Sequence, residues 1–200
     1  MILLHAPEGR HRMGVNYGQQ LQIHDPLGRR KYLTGSERER FLAAADRYDL
    51  ARQALFNLLV YAGCRVSEAL AVRGEHVDAD MGTITIRTLK RRRPVFRVIP
   101  LPVSVVEMLL VLAARSPNRL WPVHRATAWR WVKEVMHEAG IAGPMASPKG
   151  LRHAFGSRAV LKGLSAPTIQ RWMGHASLST TAIYLDIVGD EERQLASRMW

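Results

Sequence analysis

The chain has 200 residues, of which 47% are hydrophobic and 23% are charged, a balance that is typical of a globular domain and excludes global disorder. Its one cysteine, Cys64, excludes an intrachain disulfide, and no apolar run is long enough to cross a membrane, so we expect a protein of the reducing cytoplasm. There are 29 Lys and Arg against 17 Asp and Glu, and the resulting net charge of +12 favours a polyanionic partner, most often nucleic acid.

Residues 1–33 show neither a helical nor a strand period. They mix glycine, proline and basic residues, a composition that predicts a basic, partly flexible N-terminal arm. Its basic groups, Arg10 with Arg12 and the run 29–31, either contact phosphates or are simply solvated. The sequence leaves both interpretations open.

The domain proper is predicted to cover residues 34–188. Its first helix begins after Thr34, because Thr34 and Glu37 have the spacing of a capping box and apolar residues follow on one helical face. Apolar residues at helical spacing predict a second helix over 49–62, which ends at the glycine that follows. A turn into a short third helix is predicted over 64–70.

Two segments, 82–87 and 95–99, alternate between apolar and polar residues and are predicted to be strands. They are joined by 89–94, a basic hairpin tip. Helical periodicity then returns and predicts helices over about 103–114, 125–139, 148–161, 165–173, 178–186 and 190–200. The sum is a mainly α domain with one small antiparallel β-sheet.

Familiar enzyme signatures are missing from the sequence. There is no P-loop, no glycine-rich dinucleotide motif, no zinc spacing and no cluster of acids for two metals, so we expect no cofactor and no metal. Four other segments stand out: the turn Gly63-x-Arg65-x-Ser67-Glu68, Lys90 in the hairpin tip, Lys149-x-x-Arg152-His153, and Gly174-His175 followed nine residues later by Tyr184.

In the kind and order of these segments the chain resembles the tyrosine recombinase (phage integrase) family. The resemblance covers about residues 34–190, essentially the family's catalytic domain, and the four segments are specific only together. It implies the family's catalytic-domain fold and a site-specific recombinase that cleaves and rejoins DNA through a 3′-phosphotyrosine intermediate. It also implies double-stranded DNA as partner, a homotetramer on two DNA sites, possible accessory DNA-bending proteins and a nucleoid-associated location.

Metal-free cleavage of a phosphodiester needs a nucleophile, cations around the phosphate and an acid for the leaving oxygen. The resemblance makes Tyr184 the nucleophile. It makes Arg65 and Arg152 the clamp on the non-bridging phosphate oxygens, a role that suits the forked guanidinium group. His175 is expected to donate to the same phosphate. Outside this context Tyr184 would be an ordinary half-buried aromatic residue and either arginine a solvated surface charge.

Lys90 is expected to be the general acid that protonates the leaving 5′-oxygen, because neighbouring cations can lower the pKa of an ammonium group. Those neighbours are Arg91, Arg92 and Arg93, which are also expected to bind DNA. The family usually has glycines on both sides of this lysine, whereas this chain has Leu89 and Arg91. The alternative is that the whole tip only grips phosphate.

Lys149 stands where the family often has histidine and sometimes lysine. It is interpreted either as a base toward the Tyr184 hydroxyl or as one more phosphate clamp. Glu68 is interpreted as an acceptor that orients Arg65 or another cation of the site. His153 is interpreted as a structural or orienting residue.

Two other functions are compatible with this pattern. One is a non-catalytic DNA-binding regulator on the same fold, although every catalytic position is filled. The other is a topoisomerase-like relaxation of DNA through the same tyrosine. The helical core-binding domain that most family members carry in front is missing from the sequence, so we expect either a compact recombinase that needs accessory proteins or a fragment.

Residues 189–200 are predicted to form a C-terminal helix. Its acidic start, 190–192, suits a helix N-terminus, and its apolar residues Leu195, Met199 and Trp200 must pack on something, because so short a helix is unstable alone. We expect it to dock on a neighbouring protomer, and the alternative is its own domain.

Overall fold

A computed structural model of the protein describes residues 23–89, 94–116, 118–184, 196–197 and 199. Within these residues the fold is mainly helical with one small antiparallel sheet, as the sequence predicts. The helices are α1 (Gly35–Ala45), α2 (Leu50–Ala62), α3 (Val66–Ala69), α4 (Val103–Arg115), α5 (Arg125–Glu138), α6 (Pro148–Leu161), α7 (Ala166–Met173) and α8 (Ser179–Ala182). The strands are β1 (Val77–Asp78), β2 (Thr83–Arg87) and β3 (Phe96–Pro100), and a 3₁₀ turn at Gly74–His76 precedes β1.

The sheet has the order β1-β2-β3, and both pairs are antiparallel. Ile84 of β2 lies opposite Ile99 of β3, and both are buried because alternate side chains point to the core. The sequence predicted only β2 and β3. The structure adds β1, whose two residues pair with the start of β2 and are too few to leave an alternating pattern.

Local sequence explains where the first two helices begin and end. The hydroxyl of Thr34 accepts from the Glu37 backbone N–H at 3.3 Å, and the Glu37 carboxylate accepts from the Thr34 N–H at 2.9 Å, which confirms the capping box. Helix α2 ends at Gly63, which has a φ of +57°. A Cβ there would lie 2.4 Å from the Phe155 ring, so only glycine lets α6 pack this closely.

Helix α2 runs through the core and packs against α1, α4 and α6. Its residues Leu55, Phe56 and Leu58 are completely buried, and the indole N–H of Trp121 donates to the Ala51 carbonyl at 2.6 Å. Because α6 lies against α2, residues of α6 reach the turn that follows α2. That packing positions the candidate site.

The described end of the predicted N-terminal arm, 23–33, packs on the domain. Ile23, Tyr32 and Leu33 are buried in the hydrophobic core, and Arg30 Nη2 donates to Glu37 Oε1 at 2.6 Å. Three large side chains among the polar residues of this stretch supply the contact. The division at residue 34 stays a prediction.

The last two predicted helices, 178–186 and 190–200, can be compared with the structure only in part. Helix α8 covers four residues instead of the predicted 178–186. The predicted helix over 190–200 lies outside the described residues apart from 196–197 and 199, and so does the tip that contains residues 90–93. Among the helices that are described, none is long and apolar enough to cross a membrane.

Candidate active site

One open cleft of about 600 Å³ brings together most of the residues that the sequence singled out. It lies where the turn after α2, the start of α6, the end of α7 and the residues after α8 meet. Six of the predicted site residues line it: Arg65, Lys149, Arg152, His153, His175 and Tyr184. Glu68 lies behind the cleft wall, fully buried. Lys90 and the arginines of the hairpin tip lie outside the described residues.

Arg65 is the residue immediately before α3, and this position in the turn fixes the direction of its Cα–Cβ bond. Glu68 accepts from the Arg65 backbone N–H at 3.0 Å and from Arg65 Nη1 at 2.9 Å. The Arg65 side chain remains 31% exposed toward the cleft. Its guanidinium is therefore oriented by one carboxylate, and its other N–H groups have no hydrogen-bond partner among the residues that the structure describes.

Arg152 lies on α6 and is almost completely buried. Its Nη1 donates to the Gly63 carbonyl at 2.7 Å and its Nη2 to the Met173 carbonyl at 2.6 Å. These two bonds tie the ends of α2 and α7 together. Burial and the neighbouring charge of Arg65 lower the pKa of Arg152 to about 10, so the group remains a cation at neutral pH.

His175 follows Gly174, which ends α7 in the left-handed conformation with a φ of +65°. The Nδ1 of His175 lies 2.9 Å from the Thr181 hydroxyl of α8. Burial, together with the nearby charges of Arg152 and Arg65, lowers the pKa of His175 to about 3. The imidazole is therefore neutral at neutral pH.

Tyr184 comes directly after α8 and is only 1% exposed. Its ring stacks on the His175 ring at a centroid distance of 6.2 Å, and Gly156 of α6 also lies against it. A Cβ at position 156 would lie 2.5 Å from the ring, so glycine is required there. Burial raises the pKa of Tyr184 to about 12, although Arg152 and Arg65 oppose that rise.

The tyrosine hydroxyl meets His153, a residue that the sequence suggested only as a structural or orienting one. The Nδ1 of His153 lies 3.2 Å from Tyr184 Oη. Its Nε2 is buried and has no hydrogen-bond partner in the described part of the chain. Burial, and after it the charges of Lys149 and Arg152, lower the pKa of His153 to about 3, so this imidazole is also neutral.

Lys149 stands in the first turn of α6 and lines the cleft. The Ser147 hydroxyl caps this helix by accepting from the Gly150 N–H at 3.2 Å. A Cβ on Gly150 would lie 1.8 Å from the Met145 carbonyl oxygen, so the glycine allows the loop to fold against the helix start. Lys149, Arg65 and Arg152 together make the cleft strongly cationic.

Sequence reasoning missed several residues of this region. Arg125 and Trp129 of α5 also line the cleft, and no motif or periodicity distinguishes them from surface residues. Arg97 of β3 is buried and donates from Nη2 to Glu68 Oε2 at 2.6 Å. A signal for Arg97 was present, because the alternation of 95–99 puts this arginine on the same inward face as Ile99.

The site has no arrangement of metal ligands within the described residues, where no group of three or more His, Cys, Asp or Glu lies together. What the described residues of the cleft do provide is a buried tyrosine, two neutral imidazoles and several cations. That combination suits binding of a phosphate oxyanion next to a hydroxyl nucleophile.

The fold and the cleft define a catalytic domain of the tyrosine recombinase type. The model of the phage integrase family matches residues 31–189, and the chain belongs to that family. It is 30% identical over 191 residues to a tyrosine recombinase of Thermosipho africanus, covering 90% of this chain and 66% of that protein. It is 32% identical to tyrosine recombinase XerD of Neisseria meningitidis serogroup B, covering 78% of this chain and 58% of that protein.

Solved structures share the fold. The crystal structure of XerA recombinase has a TM-score of 0.74 and 25% identity, covering 84% of this chain and 64% of that one. The catalytic domain of bacteriophage HP1 integrase has a TM-score of 0.63 and 19% identity, covering 83% of this chain and 93% of that one. XerH recombinase bound to its difH substrate has a TM-score of 0.69 and 22% identity, covering 88% and 59%. The chain thus corresponds to about two thirds or less of the recombinases it matches and to nearly all of one isolated catalytic domain.

Proposed function

We propose that this chain catalyses site-specific DNA recombination, cleaving one strand through Tyr184 and rejoining it to a new partner. The observation that carries the proposal is the convergence of Tyr184, Arg65, Arg152 and His175 on one cationic cleft. Membership of the phage integrase family supports the same reaction.

Arg65 and Arg152 hold the scissile phosphate in this proposal. Arg65 offers its remaining N–H groups to the non-bridging oxygens, and Arg152 contributes a charge that its two carbonyl partners do not neutralise. A buried cation interacts with developing negative charge more strongly than a solvated one, because water screens it less. Lys149 acts as a third cation of this clamp.

His175 donates one hydrogen bond to the same phosphate. If the Thr181 hydroxyl donates to Nδ1, the neutral ring must carry its proton on Nε2. Thr181 therefore fixes the tautomer that presents an N–H donor on the other side of the ring. A neutral donor suffices because the arginines already supply the positive charge.

Cleavage forms a bond between Tyr184 Oη and the phosphorus and breaks the bond to the 5′-oxygen. Lys90 gives its proton to that leaving oxygen. The phenolic proton passes to Nδ1 of His153, 3.2 Å from the hydroxyl, after the negative phosphate in the cleft has raised the pKa of that histidine from about 3. Because the tyrosine is buried, we infer that its ring turns toward the cleft when DNA is bound. Reversal of these transfers rejoins the strand, and the phosphotyrosine link stores the bond energy that this step needs.

The substrate is double-stranded DNA in this proposal. XerH and the Tn1549 transposon integrase, two structural neighbours, were each solved with DNA. Exchange between two sites needs four active protomers, so we propose a tetramer on two DNA sites. Accessory proteins that bend DNA are a further part of the proposal, because bending brings distant sites together.

Covalent trapping tests the proposal. The protein is incubated with a pool of nicked duplexes that tile the DNA on both sides of its gene, so that each cleaved fragment diffuses away and religation is blocked. We expect a protein–DNA complex that survives denaturation, and no such complex from Tyr184→Phe. Tyr61→Phe is the matched control and should behave like the unaltered protein. Equal trapping by Tyr184→Phe, or none by the unaltered protein on this pool and on a random-sequence pool, would overturn the proposal.

A further inference from the structure

The carboxylate of Glu68 lies between two guanidinium groups. It is fully buried, with Arg65 Nη1 at 2.9 Å on one oxygen and Arg97 Nη2 at 2.6 Å on the other. A buried anion this close to Arg65 would cancel much of the charge that Arg65 can offer to a phosphate. Arg97 supplies a second positive charge that offsets the negative charge of Glu68.

Arg97 is committed to the protein interior. Its side chain is 2% exposed, and all three guanidinium nitrogens have partners: Nη2 on Glu68, Nη1 on the Thr88 hydroxyl at 2.8 Å, and Nε on the Trp172 carbonyl at 2.7 Å. Arg97 thus gives three of its five N–H groups to partners in the protein interior. Its positive charge is paired with the carboxylate of Glu68.

Arg65 differs from Arg97 in exposure and in bonding. In the described part of the chain its guanidinium has one hydrogen bond to a side chain, from Nη1 to Glu68, and it lines the cleft. Glu68 and Arg97 together form a neutral buried pair. The charge of Arg65 is therefore left over, next to that pair and facing the cleft.

Arg97 also reaches the segment that carries His175. Its bond to the Trp172 carbonyl holds the last turn of α7, and Arg152 holds the next carbonyl, that of Met173. A Cβ on Gly174 would lie 3.0 Å from Arg97 Nη1 and 3.0 Å from the Thr88 hydroxyl. The glycine thus leaves the space through which Arg97 passes from β3 to α7.

We propose that Arg97 is a positioning residue that neutralises Glu68, so that Glu68 orients Arg65 without consuming its charge and Arg65 is free to bind the scissile phosphate. The inference rests on the proposed function for the identity of the anion as a DNA phosphate. It predicts a specific failure when Arg97 is lost: Glu68 would pair with Arg65 alone and hold it away from the phosphate.

The test compares variants that change the balance of charge in opposite ways. Arg97→Met leaves Glu68 without its partner, whereas Arg97→Lys and the double variant Arg97→Met with Glu68→Gln both keep the pair neutral. Arg115→Met, at an exposed helix end, is the matched control. The first readout is the dissociation constant of inorganic phosphate, followed through the ¹⁵N signals of the Arg65 guanidinium. The second is the rate of covalent complex formation on a trapped suicide duplex.

We expect Arg97→Met to weaken phosphate binding about tenfold, the size of one lost charge-assisted hydrogen bond. The two neutral-pair variants should bind phosphate within about threefold of the unaltered protein, because Arg97→Lys keeps a cation beside Glu68 and the double variant removes the anion that competes for Arg65. Rescue by Glu68→Gln separates charge from packing, since a packing defect at position 97 would persist in the double variant. If Arg97→Met alone does not fold, the two neutral-pair variants still carry the test.

The inference is wrong if phosphate leaves the Arg65 signals of the unaltered protein unchanged, if Arg97→Met binds phosphate normally, or if either neutral-pair variant loses binding. The phosphate readout needs no cleavage. If it follows the expectation while no variant forms a covalent complex, the proposed function fails and the role of Arg97 in phosphate binding stands. If the unaltered protein and Arg97→Met cleave DNA equally, the inference alone fails.

Discussion

Burial decides the protonation state of the groups around the candidate nucleophile. It raises the pKa of Tyr184 to about 12 and lowers that of His153 and of His175 to about 3. All three groups are neutral at neutral pH, next to an Arg152 that remains charged with a pKa of about 10. A neutral phenol is a weak nucleophile, so the proposed attack by Tyr184 needs a base.

The depressed histidine pKa values predict a loss of stability in mild acid. The pKa of His153 is about 3 in the folded protein, against an ordinary histidine pKa of about 6.5, so between those pH values this group binds its proton mainly in the unfolded chain. The unfolded state then holds more protons, so the free energy of unfolding falls as the pH drops from 6.5. The slope from one such histidine is at most about 1.4 kcal/mol per pH unit.

Urea denaturation between pH 5 and pH 7 measures this effect. We expect His153→Asn to have a shallower dependence of unfolding free energy on pH than the unaltered protein, with the exposed His137→Asn as the matched control. An unchanged slope in His153→Asn would mean that His153 is not held neutral by burial.

The expected acid, Lys90, gives a second prediction at this scale. Lys90→Ala should slow cleavage of normal DNA by on the order of 10²–10⁴, the usual contribution of a general acid. It should barely slow cleavage of DNA with sulfur at the 5′-bridging position, because a thiolate leaves without a proton. The single-turnover rates on the two substrates give the answer. Equal slowing on both would assign Lys90 to phosphate binding alone.

Single residues also show how far sequence reasoning reaches. The motif positions Arg65, Arg152 and Tyr184 could be selected from the segments that carry the family resemblance, and the structure brings them to one cleft. The hydrogen-bond partners of these residues could not be predicted, because the contacts join positions that are far apart in the sequence. Arg152 and Gly63 are 89 residues apart, and His153 and Tyr184 are 31 residues apart. They form only where α6 packs on α2 and where the Tyr184 ring lies against α6.

At the scale of elements, the glycines that end α2 and α7 were visible in the sequence as stops after apolar helical segments. Their second role was not. Gly63 accommodates the Phe155 ring and Gly174 accommodates Arg97, and both contacts come from other elements. Strand β1 was also missed, since two residues carry no period, whereas the longer β2 and β3 were predicted to within one residue.

The predicted C-terminal helix supplies a prediction about assembly. Residues 185–195 lie outside the described part of the chain, and Met199, one of the apolar residues expected to dock, is exposed. Deleting 190–200 should leave the thermal unfolding midpoint and the binding of one DNA site unchanged. It should abolish the joining of two sites, because the helix is expected to dock on the neighbouring protomer.

Native mass spectrometry or analytical ultracentrifugation with two-site DNA measures that assembly. Deleting 190–200 removes three acidic and two basic residues and so raises the net charge by one. Gln194→Lys raises the net charge by the same amount and keeps the segment, so it is the matched control. If the deletion instead unfolds the monomer, the segment belongs to its own core and docking on a neighbour is excluded.

The charge of the whole molecule predicts how its binding to DNA responds to salt. With a net charge of +12 and a cleft lined by Arg65, Lys149 and Arg152, most of the affinity should come from phosphate contacts. Each neutralised phosphate contributes about −0.9 to the slope of log K against log salt concentration. Fluorescence anisotropy with a nonspecific duplex should therefore give a slope of several negative units. A slope near zero would mean that uncharged contacts dominate.

The fold as a whole was more predictable than its site, since helical periods and two alternating strands determine a mainly α domain with a small sheet. The four motif segments allowed the phage integrase family to be recognised, and the chain belongs to that family. The position of the cleft could not be predicted from the sequence, because the cleft forms only where several separate parts of the chain meet. The net charge of the chain indicated an anionic partner. It could not show which arginines face the cleft and which, like Arg97, are buried in the interior.

The central claim is that Tyr184 becomes joined to DNA, and the most direct measurement is the mass of that linkage. A covalent complex trapped on a suicide duplex is digested with protease and nuclease, and the remaining nucleotide–peptide adduct is sequenced by mass spectrometry. We predict a nucleotide attached through its 3′-phosphate to the peptide that contains Tyr184, and a 5′-hydroxyl on the released fragment. An adduct on another residue, or a link through a 5′-phosphate, would contradict the account.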